Sequence, residues 1–105
     1  MTTQDIAQTI ITSTYQNACD TAQIAADAWA TYQSAQDNCE SARQAYCNAC
    51  ETNADCATTI NAFIAWERAT NEARAAGAAA WQARDEANEA ADEARNQAFW
   101  IGTQE

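Results

Sequence analysis

The side chains able to do chemistry fall into two groups, thiols and carboxylates. Cysteines stand at Cys19, Cys39, Cys47, Cys50 and Cys56, and the 105 residues contain no histidine. Cys47-Asn48-Ala49-Cys50 is a CxxC, with Cys39 on the same helical face eleven residues before Cys50. A structural metal needs a full set of thiolate or imidazole ligands. With imidazole missing and the run reading as helix, no metal and no other cofactor is expected. A dithiol of the thioredoxin kind opens a helix in a βαβ setting, and no strand pattern accompanies this one. The thiols therefore read first as small apolar packing groups. An odd count prevents complete pairing within one chain. Met1-Thr2-Thr3-Gln4-Asp5 has neither the basic nor the apolar region of a secretory signal, so a reduced, cytoplasmic setting is expected. Under oxidation, Cys50 and Cys56, which flank the one turn-like cluster, are a pair able to bridge.

The carboxylates dominate the charge: 15 acids against 5 arginines leave a formal net charge of −10. Asp85, Glu86, Glu89, Asp92 and Glu93 crowd one stretch at helical spacings of three and four, where like charges repel. Arg84 and Arg95 offset part of that repulsion. The plain reading is a solvated acidic face. The functional reading is a pH-responsive face whose protonation lowers repulsion and shifts packing between neighbours. Paired carboxylates also serve as acid–base couples, but no glycine loop or nucleophile joins these, so the chain is not expected to be an enzyme. At a pI of about 4.1, five arginines cannot track a phosphate backbone, which excludes nucleic acid. No apolar run approaches the length of a membrane span.

What positions these groups is helix. Alanine occurs 28 times, proline is absent, and the glycines are Gly77 and Gly102. Thr2 with Asp5 three residues later is an acidic variant of the capping box. The turn-like cluster is Glu51-Thr52-Asn53-Ala54-Asp55, in which Asp55 is placed to cap a following helix. One domain over 1–105 is predicted, with helix 3–51, turn 52–55 and helix 56–100. A heptad seam runs through Ala25, Ala28, Tyr32, Ala35, Cys39, Ala42, Tyr46 and Ala49 in the first helix. In the second it runs through Ala69, Ala73, Ala76, Ala80, Ala83, Ala87, Ala90 and Ala94. Alternating steps of three and four belong to supercoiled helices, and alanine there permits close approach.

Folding back near residue 53 sets residue i opposite a residue near 107 − i. Ile6, Ile10 and Ile11 are then expected to face Gln97–Ile101, and Tyr46 and Cys47 to face Ile60, Phe63 and Ile64. Such a hairpin has a thin core, because an alanine methyl contributes only about 0.8 kcal/mol. Tyr15, Trp29, Trp66, Trp81 and Trp100 extend beyond the alanine stripe and are candidate assembly contacts. The fold class predicted is therefore all-α: a long antiparallel two-helix hairpin with an alanine-rich coiled-coil seam, assembling into a larger helical array.

The alanine-, glutamine- and threonine-rich composition, with Ile10-Ile11-Thr12-Ser13-Thr14-Tyr15-Gln16-Asn17-Ala18, Thr21-Ala22-Gln23 and Gln33-Ser34-Ala35-Gln36, resembles the small structural proteins of bacterial R-bodies. The resemblance implies a subunit of a cytoplasmic protein ribbon, coiled as a scroll, that extends at acidic pH and ruptures membranes. It further implies self-association as a homopolymer, with or without related co-assembling subunits, touching a membrane only through the polymer. The competing expectation is a discrete dimeric hairpin, a binding or secreted effector module. Secreted hairpins of the WXG type carry Trp-x-Gly in the central turn, whereas Trp100-Ile101-Gly102 lies near the C-terminus here.

Overall fold

With good helix formers throughout and no proline, nothing inside either half of the chain interrupts a helical ladder. The computed structural model describes residues 2–104, with side chains described for 2–100. It contains α1 (Thr3–Glu51) and α2 (Cys56–Gln104), and no strand among the described residues. The protein is an all-α helical hairpin. The second helix passes the expected end at 100 and runs to Gln104, since a single glycine at 102 is tolerated within a helix.

Local chemistry sets the helix ends. Asp5 N–H donates to Thr2 Oγ1 at 3.2 Å, and Thr2 N–H donates back to an Asp5 carboxylate oxygen at 3.3 Å. These reciprocal bonds satisfy donors that the first turn leaves without helical partners. At the other end of α1, Asn53 adopts a left-handed conformation with φ of 53°. Ala54 N–H then donates to Ala49 C=O at 3.0 Å, and Asn53 N–H to Cys50 C=O at 3.4 Å. This is a Schellman motif with asparagine in the position glycine usually takes. Asp55 starts α2: its Oδ1 accepts from Thr58 N–H at 3.0 Å. Hydrogen bonds from Thr58 hold the Asp55 carboxyl below its ordinary range.

The contacts divide the chain into two compact units, one of residues 28–80 and one of residues 1–27 with 81–105. In the first unit the helices meet in a regular register. Tyr32 lies over Gly77, Cys39 Sγ is 3.4 Å from Thr70 Oγ1, and the Tyr46 and Phe63 rings are 5.5 Å apart. The residue numbers of each pair (32 and 77, 39 and 70, 46 and 63) add to 109 rather than 107. The two-residue difference follows from side-chain direction. A helical side chain leans toward its own N-terminus and covers a spot about one position behind its Cα. In an antiparallel pair both partners lean, so the shift enters twice. Tyr46 accordingly meets Phe63 and also stacks on Trp66 at 5.6 Å, while Ile60 and Ile64 remain exposed.

In the second unit the two segments cover each other along Ala7, Ile11, Thr14, Ala18, Thr21 and Ala25 of α1, and Ala83, Ala87, Ala90, Ala94 and Gln97 of α2. Here the expected lock of large apolar residues is not what forms. Ile11 is half-buried, but Ile6, Ile10, Phe99 and Trp100 are exposed, and the Ile101 side chain lies outside the described residues. Helices spaced for alanine leave no room between them for a full row of isoleucine and aromatic side chains.

Two predictions follow from these contacts. A Cβ added at Gly77 would stand 3.0 Å from Tyr32 Cε1. Gly77→Ala should therefore stabilise the hairpin by about 1 kcal/mol in a Tyr32→Ala background, where only helix propensity speaks. It should stabilise less, or destabilise, when the ring is present. Equal gains in both backgrounds, read from urea unfolding, would remove the ring-on-glycine contact from the energetics. The second concerns the Asp55 cap. Because its folded-state pKa is depressed, its charge contributes stability that is complete above the unfolded value of about 4 and is lost as pH falls through the folded value. Thermal melts of Asp55→Asn, which keeps the acceptor but not the charge, should show a smaller acid-induced loss than the parent.

Candidate assembly surface

The sixteen seam residues singled out by spacing are all buried or half-buried. In the unit of residues 28–80 these are Ala28, Tyr32, Ala35, Cys39, Ala42, Tyr46 and Ala49, with Ala69, Ala73, Ala76 and Ala80 opposite. In the other unit they are Ala25, Ala83, Ala87, Ala90 and Ala94. Ala80 is only 1 % exposed. The spacing of α1 continues further than the alanines do, through Thr21, Ala18, Thr14, Ile11 and Ala7. Threonine can occupy the seam because its hydroxyl is satisfied within its own helix. Thr14 Oγ1 donates to the carbonyls of Ile10 and Ile11 at 3.1 Å, and Thr21 Oγ1 donates to Asn17 C=O at 2.9 Å. Thr70 uses the same device, donating to Trp66 C=O at 2.8 Å. Its one hydroxyl proton is then spent, so the Cys39 thiol is the donor in their cross-helix contact.

Most of the other large apolar side chains lie outside this seam. In the unit of residues 28–80, Trp29, Ile60, Phe63 and Ile64 are exposed. Trp29 leans edge-on against Tyr32, with ring centroids 5.5 Å apart. Trp66, expected among the outer contacts, is half-buried and belongs to the Tyr46–Phe63–Trp66 cluster within the hairpin. In the other unit, Tyr15 is 66 % exposed and Trp81 52 %, and Ile24 and Trp100 are exposed as well. The Arg84 guanidinium lies 5.2 Å from the Trp81 ring centroid, within cation–π range.

The five carboxylates of the acidic cluster are all exposed. Arg95 pairs with Asp92, Gln82 donates to Glu86 at 3.3 Å, and Gln97 donates to Glu93 at 2.9 Å. Asp85 and Glu89 complete the cluster. Their unit also carries Asp5, Asp20, Asp27 and Glu105, so only Arg84 and Arg95 balance nine acids there.

The thiols are free. Cys19, Cys50 and Cys56 are exposed, whereas Cys39 and Cys47 are half-buried. Near the end of α1, Arg43 forks onto Glu40 through Nε and Nη2, at 3.0 and 2.6 Å, and Nη1 reaches Cys47 Sγ at 3.8 Å. Hydrogen bonding from Arg43 holds the Glu40 carboxyl below its usual range. Hydrogen bonding to Cys50 pushes the Tyr46 phenol up. Among the described residues, no three Cys, Asp or Glu side chains converge as metal ligands, and no helix is long and apolar enough to cross a membrane.

Comparison with family models, curated proteins and solved structures finds no match to this chain.

The seam's tolerance is testable at two neighbouring alanines. Ala80→Leu should overpack the interface and cost about 2 kcal/mol, whereas Ala79→Leu on the exposed side should change stability by less than about 0.5 kcal/mol. Chemical denaturation of both variants checks the contrast.

Proposed function

We propose that this protein is a self-assembling structural subunit of a polymeric ribbon or filament, resembling the R-body proteins and accumulating as a cytoplasmic inclusion. One observation carries the reading: the hairpin fully buries only alanines among its hydrophobic residues and leaves most of its large apolar and aromatic ones exposed. Among the described residues the buried hydrophobic ones are Ala49, Ala80, Ala83 and Ala90, while isoleucine, phenylalanine and tryptophan side chains are exposed in both units and Tyr15 is exposed in the outer one. Exposed large apolar residues in such numbers on one small chain are the mark of an interaction surface. A second copy presents the same rings and the same narrow helices. Contacts between unlike faces of identical copies propagate into a polymer when the rotation between copies does not close a ring.

The proposal includes a response to acid. Nine carboxylates against two arginines make the unit formed by the chain's outer segments strongly self-repelling between neighbouring copies. Protonation of Asp85, Glu86, Glu89, Asp92 and Glu93 relieves that repulsion and changes how subunits pack. In this reading the polymer's shape change is what disrupts a membrane.

Negative-stain electron microscopy at pH 7 and at about pH 5 tests both parts. Ribbons or sheets whose shape changes with acid are the expected result. Small particles at both values, with no larger species on sizing, would overturn assembly in favour of a discrete dimer. Replacing the five carboxylates by amides should move the midpoint of the acid transition, and an unmoved midpoint would take the cluster out of the mechanism.

A further inference from the structure

We propose that Cys47 and Cys50 form a redox-active dithiol at the end of α1, with Arg43 as the residue that positions Cys47 for attack on Cys50. This inference stands independently of the assembly reading. It rests on three features of the last turns of α1. The two cysteines are three residues apart in a helix, which puts their Cα atoms about 5 Å from each other, inside the range a disulfide spans. Cys50 is exposed and Cys47 half-buried, so an oxidant reaches Cys50 first. Arg43 Nη1 donates to Cys47 Sγ at 3.8 Å, and the fork onto Glu40 at 3.0 and 2.6 Å fixes that guanidinium in place. A guanidinium N–H on that sulfur holds the Cys47 side chain in one orientation, which is what a positioning role requires.

The other thiols are placed differently. Cys39 is committed to Thr70, Cys19 belongs to the other unit, and Cys56 opens α2 beyond the turn. Bridging Cys47 and Cys50 also requires some local yielding, because helical neighbours at this spacing have Cβ atoms about 5–6 Å apart against about 4 Å in a disulfide. The site lies where yielding is easiest. Asn53 turns left-handed three residues after Cys50, and its N–H donates to Cys50 C=O at 3.4 Å. A bridge that needs such distortion is readily reduced, the character of a reversible disulfide rather than a structural one.

With glutathione disulfide as oxidant the chemistry balances in two exchanges. The Cys50 thiolate attacks one glutathione sulfur, forming a protein–glutathione bond and releasing one glutathione thiolate, which takes up a proton. The Cys47 thiolate then attacks Cys50 Sγ, forming the Cys47–Cys50 bond and expelling the second glutathione. Two protein thiols are oxidised and one glutathione disulfide is reduced to two thiols.

The test treats the full chain with glutathione disulfide, blocks remaining thiols, and cleaves after glutamate. Cleavage after Glu40 and Glu51 releases the 41–51 segment, which holds Cys47 and Cys50 and no other cysteine. The expected product is that segment lacking two hydrogens, refractory to alkylation, and restored by reduced glutathione. Cys47→Ser should stop at a glutathionyl group on Cys50. In Cys50→Ser, Cys47 should stay unmodified over the same time. Arg43→Gln should accumulate the mixed disulfide at unchanged helicity, and Arg43→Lys should clear it again. Linkage of the 41–51 segment to Cys56 or to a second copy, or both thiols still free while others oxidise, would overturn the dithiol. Unaltered kinetics in Arg43→Gln would overturn the role of Arg43.

Discussion

Close helix approach over a row of methyl groups is the constraint on which everything else in this hairpin depends. Alanine at steps of three and four lets the two backbones come near enough that little else fits between them. A larger side chain must then find a hole, as the Tyr32 ring does over Gly77, or lie outside, as Trp29, Trp81 and Tyr15 do. The arrangement is economical in volume but thin in driving force. One methyl returns about 0.8 kcal/mol on burial, while ordering a residue's backbone costs about 1–2 kcal/mol. The seam defines which surfaces meet, and the apolar area left outside it is where further association has energy to gain.

Local hydrogen bonding does much of what packing does elsewhere. Glutamines reach along the same helix to acids one turn away, as Gln16 does to Asp20 at 2.9 Å and Gln23 to Asp27 at 3.0 Å. Threonines return their hydroxyls to their own backbone, which makes them admissible in a half-buried stripe. Each helix is thus largely self-satisfied, and among the described residues no buried side-chain polar atom lacks a partner. Rigid helices whose polar groups are settled locally leave their outer faces free of any obligation to one another.

The hairpin was legible because its signals are periodic and local. Alanine spacing marked the seam from Ala25 to Ala49 and from Ala69 to Ala94, and Asn53 and Asp55 marked the turn. The N-terminal continuation through Thr14 and Thr21 was hidden, because a threonine reveals its fitness for a seam only once its hydroxyl has a carbonyl partner. The register was displaced by two residues because counting positions ignores the lean of helical side chains. Trp66 was misplaced for a related reason: its type suggests an outer contact, but its position follows the seam spacing and brings it onto Tyr46. The Arg43–Cys47 contact is a helical i to i+4 pair, visible in principle, yet nothing in composition distinguishes it from other polar neighbours.

A seam of identical small residues has a weakness of its own. Sliding one helix past the other by a heptad replaces alanine with alanine almost everywhere, so the row itself barely distinguishes one alignment from the next. Tyr32 does distinguish them. Seven residues to either side of Gly77 stand Thr70 and Arg84, each with a side chain where the ring needs bare backbone. The single helix-interior glycine facing that tyrosine therefore acts as a keyway. It turns a ratchet with many equivalent teeth into a joint with one seated position, and the same key would select the partner helix if the two were supplied by different chains.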